Sequence, residues 1–440
     1  MNRLLLPLLL LPVTAGAAPA PPPDCTVIAG SRAHLPDGPK DDITAVLADG
    51  TIAALGTEIA GLSAPGDGGI TWNGRECAFV DGAGKQLSAG LVEAHSTLGL
   101  VEVGLEPGTR HNDAGGDTPV RAHVRVLDGY DPLSSLIPVA RREGVTTVVL
   151  QPSGGSFSGT AAGVRLAGVT QSDAVVRDAV GRDVGREAAV RANLAVGASF
   201  AGRLAHLRSV LSEARSYSRD ARGWRSSLGT RASAPPEESL VALVAVLNGE
   251  LPLIITADRA SDLEVLADFA KEQGVRLVIE GAAEGWLVAD RLADADIAVV
   301  IDPFVYGAGG FDQLHGRKDN GALLSAAGVP VMISTRSGHS ARKLRQLAGN
   351  AVRGGMSHED ALAAITAVPA QVYGLGPRGR LTTGQAADVV LWTGDPLEVT
   401  SWADAVWIGG VPQTLESRQT RLYDRYEELP GSPAPPLPLP

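Results

Sequence analysis

The chain has 440 residues, and its 38 Lys and Arg against 49 Asp and Glu give a formal net charge of -11 at pH 7. That length exceeds what one hydrophobic core normally serves, so a large domain with a smaller companion is expected. The acidic charge is spread thinly, and no Lys/Arg cluster offers a footprint for nucleic acid or an anionic membrane, which leaves a small-molecule ligand as the expected partner.

At the N-terminus, Arg3 precedes an apolar run from Leu4 to Val13 and then the small residues Ala15, Ala17 and Ala20. This is the layout of a secretory signal peptide over residues 1–20, with cleavage readable after Ala17 and after Ala20. The run falls short of the roughly 20 apolar residues that span a bilayer, and Pro7 and Pro12 interrupt it, so no membrane anchor is expected after cleavage. A periplasmic or secreted location follows. It would place the two cysteines, Cys25 and Cys77, in an oxidising compartment, where a disulfide between them is expected. Two separate buried thiols are the alternative, because spacing alone does not bring two Cα atoms within about 7 Å.

From Cys25 to about Leu87 the pattern is short apolar alternation punctuated by Gly and Asp, with Asp49-Gly50 marking a hairpin. A second stretch of the same character runs from Ala387 to Leu415. Neither closes a core alone, so residues 25–88 and 379–428 are expected to meet as one composite β-sandwich. The Pro-rich segment 429–440 reads as an extended, disordered tail.

Between these two pieces, residues 89–378 switch to short buried strands separated by helices. The strands read at Ala89–His95, Ala122–Leu127, Thr146–Gln151, Ala174–Arg177, Leu253–Ala257, Arg276–Glu280, Ala298–Asp302 and Val331–Thr335. Ser261 with Glu264 reads as a capping box opening a helix to Gln273, which Gly274 closes. Pro236 with Glu237 and Glu238 opens another helix, ended by Asn248 and Gly249, and Ser357 with Asp360 opens a third. Eight βα units over this span predict an α/β fold: a (β/α)8 TIM barrel carrying the small β-sandwich. The glycine-rich Ser153–Gly159 reads as a plain loop on the active face.

Two segments carry a family likeness. LSAGLVEAHSTLGLVEV (Leu87–Val103) and ALAAITAVPAQVYGL…GRLTTGQAADVVLWTGDPLEVTS (Ala361–Ser401) lie at the two crossings between domains. Both resemble the metal-dependent amidohydrolase superfamily, in its imidazolonepropionase-like and dihydroorotase-like branches. The resemblance implies a hydrolase of carbon–nitrogen bonds other than peptides, cyclic amides among them, working through a divalent metal such as zinc. In that family two His at i and i+2 on the first barrel strand chelate the metal, a carbamylated Lys or a Glu bridges a second ion, later strands add two His, and the last strand supplies an Asp. The metal makes a hydroxide that attacks the carbonyl carbon.

This sequence departs from that pattern on several strands. The first-strand motif reads His95-Ser96-Thr97, so His95 is the one metal-ligand position retained. No lysine occurs between Lys85 and Lys271, Thr256 and Ala283 stand where histidines belong, and no Asp lies between Asn320 and Glu359. A zinc site needs at least three protein ligands. What remains at the strand ends is a polar ring of Gln151, Thr256, Asp258, Arg259, Glu280, Glu284, Asp302, Arg336 and His339. Asp258, Arg259, Glu284, Asp302, Arg336 and His339 are its catalytic candidates. Asp258 and Arg259 also read as an ion pair or helix-entry cap, and His95 as a hydrogen-bonded core histidine. Two functions stay open: a hydrolase with a degenerate metal centre, and a catalytically inactive barrel, a pseudoenzyme, that binds a ligand through the old active face. A homo-oligomer is open too.

Overall fold

A computed structural model describes residues 24–427 apart from 64–68, 114, 116–117, 179, 195–198, 229–233 and 308. The signal peptide expected at 1–20 and the Pro-rich tail at 429–440 lie outside the described residues.

Both ends of the chain build one nine-stranded sheet. The first part supplies β1 (Cys25–Leu35), β2 (Gly38–Ala48), β3 (Thr51–Gly56), β4 (Ile70–Trp72), β5 (Arg75–Asp81) and β6 (Gln86–Ala89). The second supplies β15 (Val389–Trp392), β16 (Ala403–Ile408) and β17 (Val411–Pro412), joined to the first where β15 pairs antiparallel with β6. The sheet forks at β1, whose first half pairs with β5 and whose second half pairs with β6. The fork wraps a core that includes Ile28, Leu47, Ile52, Leu87, Val389, Leu391 and Trp407. The β2–β3 turn places Asp49 and Gly50 at φ 51° and 77°, the left-handed pair that a two-residue type I′ hairpin demands. A buried ion pair, Arg378 Nη1 to Asp388 Oδ2 at 2.9 Å, fixes the returning chain, and Asp388 Oδ1 accepts the Gly409 N–H at 2.7 Å.

Cys25 and Cys77 face each other in the β1–β5 register and are disulfide-bonded, with Cα atoms 4.6 Å apart. Replacing both with alanine is expected to cost about 3 kcal/mol, because the bond spans a sequence separation of 52 and its loss returns that loop's freedom to the unfolded chain. Urea unfolding measures this. An unchanged midpoint would mean the bond adds no constraint.

The barrel sheet follows chain order: β7 (Leu91–Ser96), β8 (Val145–Leu150), β9 (Phe157–Arg165), β10 (Ala189–Ala192), β11 (Leu253–Ala257), β12 (Leu277–Gly281), β13 (Ala298–Ile301) and β14 (Val331–Ile333). Its interior is filled by Val92, Ala94, Val149, Ala161, Ile254, Val278, Val300 and Met332 over a floor of Tyr373 and Leu375. All neighbours are parallel except around β9, which runs antiparallel to both β8 and β10. A hairpin through residues 151–156 therefore replaces one βα crossover. Among the described residues no helix is long and apolar enough to cross a membrane.

Two expected strands are not there. Ala122–Leu127 runs beside β9 with single bridges, Val120 to Phe157 and Arg125 to Thr160, and ends in a 3-10 turn over Val126–Gly129. Ala174–Arg177 overlaps a short helix, Gln171–Ala174, capped by Thr170. Their places in the sheet are taken by β9 and β10, and the expected Ser153–Gly159 loop is half strand. The sequence of β9, FSGTAAGVR, looks like a loop because its positions must be small: a Cβ on Gly163 would lie 2.4 Å from the Leu375 side chain on the barrel floor.

The helix ends follow local chemistry in four of five cases, Asn248 capping helix Glu237–Leu247 with Gly249 after it at φ 72°. Ser357 accepts the Asp360 N–H at 3.0 Å, Pro236 precedes helix Glu237–Leu247, and Gly274 closes helix Ala260–Gln273 at φ 64°. The expected Ser261 box does not form. That helix begins one residue earlier, at Ala260, and the Ala260 N–H is taken by the Glu284 carboxylate at 3.0 Å.

Candidate functional site

The site grows from an irregularity in the first barrel strand. Glu93 pairs with Val148 and Ser96 with Leu150, so three steps along β7 match two along β8. This bulge sets both Ala94 and His95 against Val149 and turns the imidazole into the barrel. His95 Nδ1 donates to Glu280 Oε1 of β12 at 2.6 Å. Glu280 Oε2 lies 2.7 Å from Arg191 Nη1 of β10 as an ion pair, and Arg191 Nη2 donates to Thr256 Oγ1 of β11 at 3.1 Å. Four strands thus meet in one polar chain.

Glu280 is 1% exposed, His95 13% and Arg191 14%. Burial alone would push the Glu280 carboxyl up, but the His95 and Arg191 groups outweigh it and hold it well below the usual carboxylate range. Arg191 carries a permanent charge, so it is the partner that keeps Glu280 ionised. Burial lowers the His95 imidazole, and Glu280 offsets this only in part. The ring is therefore neutral, with its proton on Nδ1 and Nε2 left as an acceptor.

A second acid, Glu93, is fully buried two residues earlier on β7. It accepts from Ser334 Oγ, from Thr335 N at 3.2 Å and from Thr335 Oγ1 at 2.8 Å, and the His95 N–H points to it at 3.4 Å. β7 and β14 are the two ends of the eight-stranded order, so this carboxyl clasps the seam of the barrel. Burial pushes Glu93 up to about 7 despite those donors.

Comparison with known proteins agrees with this architecture. Residues 314–412 match the model of the Amidohydrolase family. The curated protein Amidohydrolase tasK of Hapsidospora irregularis is 25% identical over 398 residues, covering 82% of this chain. The chain spans 40% of that protein's length. The crystal structure of an amidohydrolase from Thermotoga maritima MSB8 superposes with a TM-score of 0.74 at 23% identity, covering 88% of this chain and 99% of that one. The chain thus shares the fold of these amidohydrolases, and residues 314–412 carry the match to their family model. Phenylurea hydrolase B shares the fold at a TM-score of 0.51 and 15% identity, covering 89% of this chain and 97% of that one.

Amidohydrolases generally use a divalent metal, which needs several His, Cys, Asp or Glu donors together. Among the described residues no three His, Cys, Asp or Glu side chains gather as a cation site. His95 Nδ1 is committed to Glu280, and the charge nearest that carboxylate is already a cation, Arg191. These residues do not fit a divalent ion.

The ring expected from the sequence is only partly brought together. His95, Thr256 and Glu280 join the polar chain around Arg191. Gln151 is buried at the end of β8, with neither amide atom partnered. Asp258 accepts from Ala283 N at 3.2 Å and Gln313 Nε2 at 2.8 Å, while Arg259 pairs with Asp262 and Asp312 at the surface rather than with Asp258. Glu284 is a buried tie between Ala260 N and His315 N, both at 3.0 Å. Asp302 accepts the Phe304 N–H at 2.9 Å. Arg336 sits at φ 52°, its N–H on Ser334 Oγ, and His339 is exposed.

The residues that sequence reasoning passed over are Glu93 and Arg191. Each is a lone charge inside an apolar strand, LVEAHS for one and AVRA for the other. That is a detectable signal, because a buried charge survives only with partners.

Proposed function

We propose that this chain is an exported amidohydrolase-fold protein whose barrel mouth binds a small molecule without the metal-hydroxide chemistry of its family. The Arg191 guanidinium, paired to Glu280 at 2.7 Å, carries this reading. A divalent ion on His95 and Glu280 would stand beside a permanent positive charge, and repulsion at that range in a buried site opposes its binding. The remaining groups are suited to recognition. The neutral His95 offers Nε2 as an acceptor, Thr256 presents an exposed hydroxyl, and Gln151 carries an unpartnered amide. Glu280 and Glu93 are fully engaged by their own donors, so neither is a free base. Export is supported by the Cys25–Cys77 bond, which persists in oxidising compartments.

Metal analysis of the full chain, purified from zinc-supplemented cells, tests the reading alongside turnover of phenylureas and cyclic amides. The expected result is no stoichiometric metal and no metal-dependent hydrolysis. Stoichiometric zinc that His95→Ala releases, together with hydrolysis lost in the same variant, would restore the family's chemistry to this barrel.

A further inference from the structure

A cavity of about 280 Å³ lies at the opposite end of the barrel, where its floor meets the nine-stranded sheet, and its wall includes Arg165, Arg177 and Arg378 with Asp49, Asp178 and Asp388. Arg165 reaches it because β9 is reversed, so the strand's last residue falls at the floor instead of the mouth.

The charges on this wall do not cancel pair by pair. Asp49 is held by Arg75 at 2.9 Å, Asp178 by Arg182 at 2.6 Å, and Asp388 by Arg378 at 2.9 Å. Arg177 has Asp183 at 2.9 Å. That leaves Arg165. Among the described residues no carboxylate stands within 4 Å of its guanidinium. Its Nη2 donates to the Asp173 carbonyl at 2.7 Å, and its buried Nε has no partner. Gly409 keeps the space beside Nη1 clear, since a Cβ there would lie 3.0 Å from it. Arg165 is also close enough to Arg378 for its charge to add to the burial that lowers that group. The Arg165 charge, without a carboxylate partner and with its buried Nε unpartnered, is relieved by an anion in the cavity.

We propose that this cavity is a binding site for a tetrahedral oxyanion, the phosphate or sulfate group, with Arg165 as its principal contact and Arg177 and Arg378 as flanking charges. The three guanidiniums arrive from separate chain segments, β9, the 175–185 loop and the 376–388 return. An anion that offers oxygens in several directions suits them better than a planar carboxylate. The site joins the barrel to the sheet domain, so occupancy would also tighten the junction.

Calorimetric titration of the full-length protein with inorganic phosphate, sulfate and glycerol 3-phosphate, paired with thermal unfolding, tests this. Saturable binding with a rise in melting temperature is expected, weakened at least about tenfold in Arg165→Gln, the loss typical of one charge-assisted contact. Arg165→Lys is expected to keep part of it. Tighter binding of glycerol 3-phosphate would assign the site to an esterified phosphoryl group, and tighter inorganic phosphate or sulfate to the free ion. Should Arg165→Gln not fold, Arg177→Gln is expected to weaken the same isotherm. Absence of saturable binding by all three anions overturns the proposal. So does binding unchanged in Arg165→Gln, or weakened equally in Arg208→Gln, whose side chain pairs with Glu272 on the outer helices.

Discussion

Replacing Arg191 with leucine is expected to cost about 4 kcal/mol of folding stability, the usual penalty for removing one partner of a buried ion pair. The reason lies in what stays behind. Glu280 is 1% exposed, and without the guanidinium its carboxylate keeps only the neutral His95 ring. Wild-type Glu280 has a depressed carboxyl, so its stabilisation is present above the unfolded value and is lost as pH falls toward the depressed one. In the variant burial dominates, the carboxyl rises, and stability is lost as pH increases. The difference between the two proteins should therefore widen from pH 5 to pH 8 in urea unfolding. Replacing both partners, Arg191→Met with Glu280→Met, is expected to recover most of the loss, because a hydrophobic pair of similar volume tolerates the site. A cost under about 1 kcal/mol for the single variant would show that Arg191 does not hold Glu280 charged.

This chain of contacts also shows where sequence reading stops. The Asp49-Gly50 turn, the Ser357 cap and the glycine after Gln273 were legible because each is decided within a few residues. The composite sheet was legible because two alternating stretches bracket a buried, helix-separated middle. His95 and Glu280, by contrast, are 185 residues apart, and Arg191 and Thr256 are 65 apart. Their meeting depends on strand order and on the β7 bulge, which leave no local mark. The reversed β9 was hidden for another reason. Interior positions over a filled barrel floor select Gly and Ala, and those residues read as loop. The departure from the family's ligand pattern is a reading of the sequence alone. That the Arg191 guanidinium stands beside Glu280 left no mark there.

The barrel seam gives the second large effect. Glu93→Ala should cost about 4 kcal/mol, since it leaves the Thr335 N–H unpaired in a buried place, at about 1–3 kcal/mol, and opens a cavity at the seam, while the Ser334 and Thr335 hydroxyls keep only the His95 and Ser337 carbonyls. Glu93→Gln should behave differently. Its carbonyl can keep the Ser334 O–H and the Thr335 N–H as donors, while its amide donates to Thr335 Oγ1, which already reaches the Ser337 carbonyl at 3.2 Å. The clasp survives. What disappears is a proton. Glu93 titrates near 7 when folded against 4.5 for the free side chain, so between those values the folded chain binds the extra proton. Stability from this group is complete below pH 4.5 and falls as pH rises through 7, by about 3 kcal/mol in all. Glu93→Gln, a permanent mimic of the protonated acid, should remove that slope and become the more stable protein at pH 8. Parallel unfolding curves for wild type and Glu93→Gln from pH 5 to pH 8 would show instead that the carboxylate is ionised throughout, its charge absorbed by the four donors at the seam.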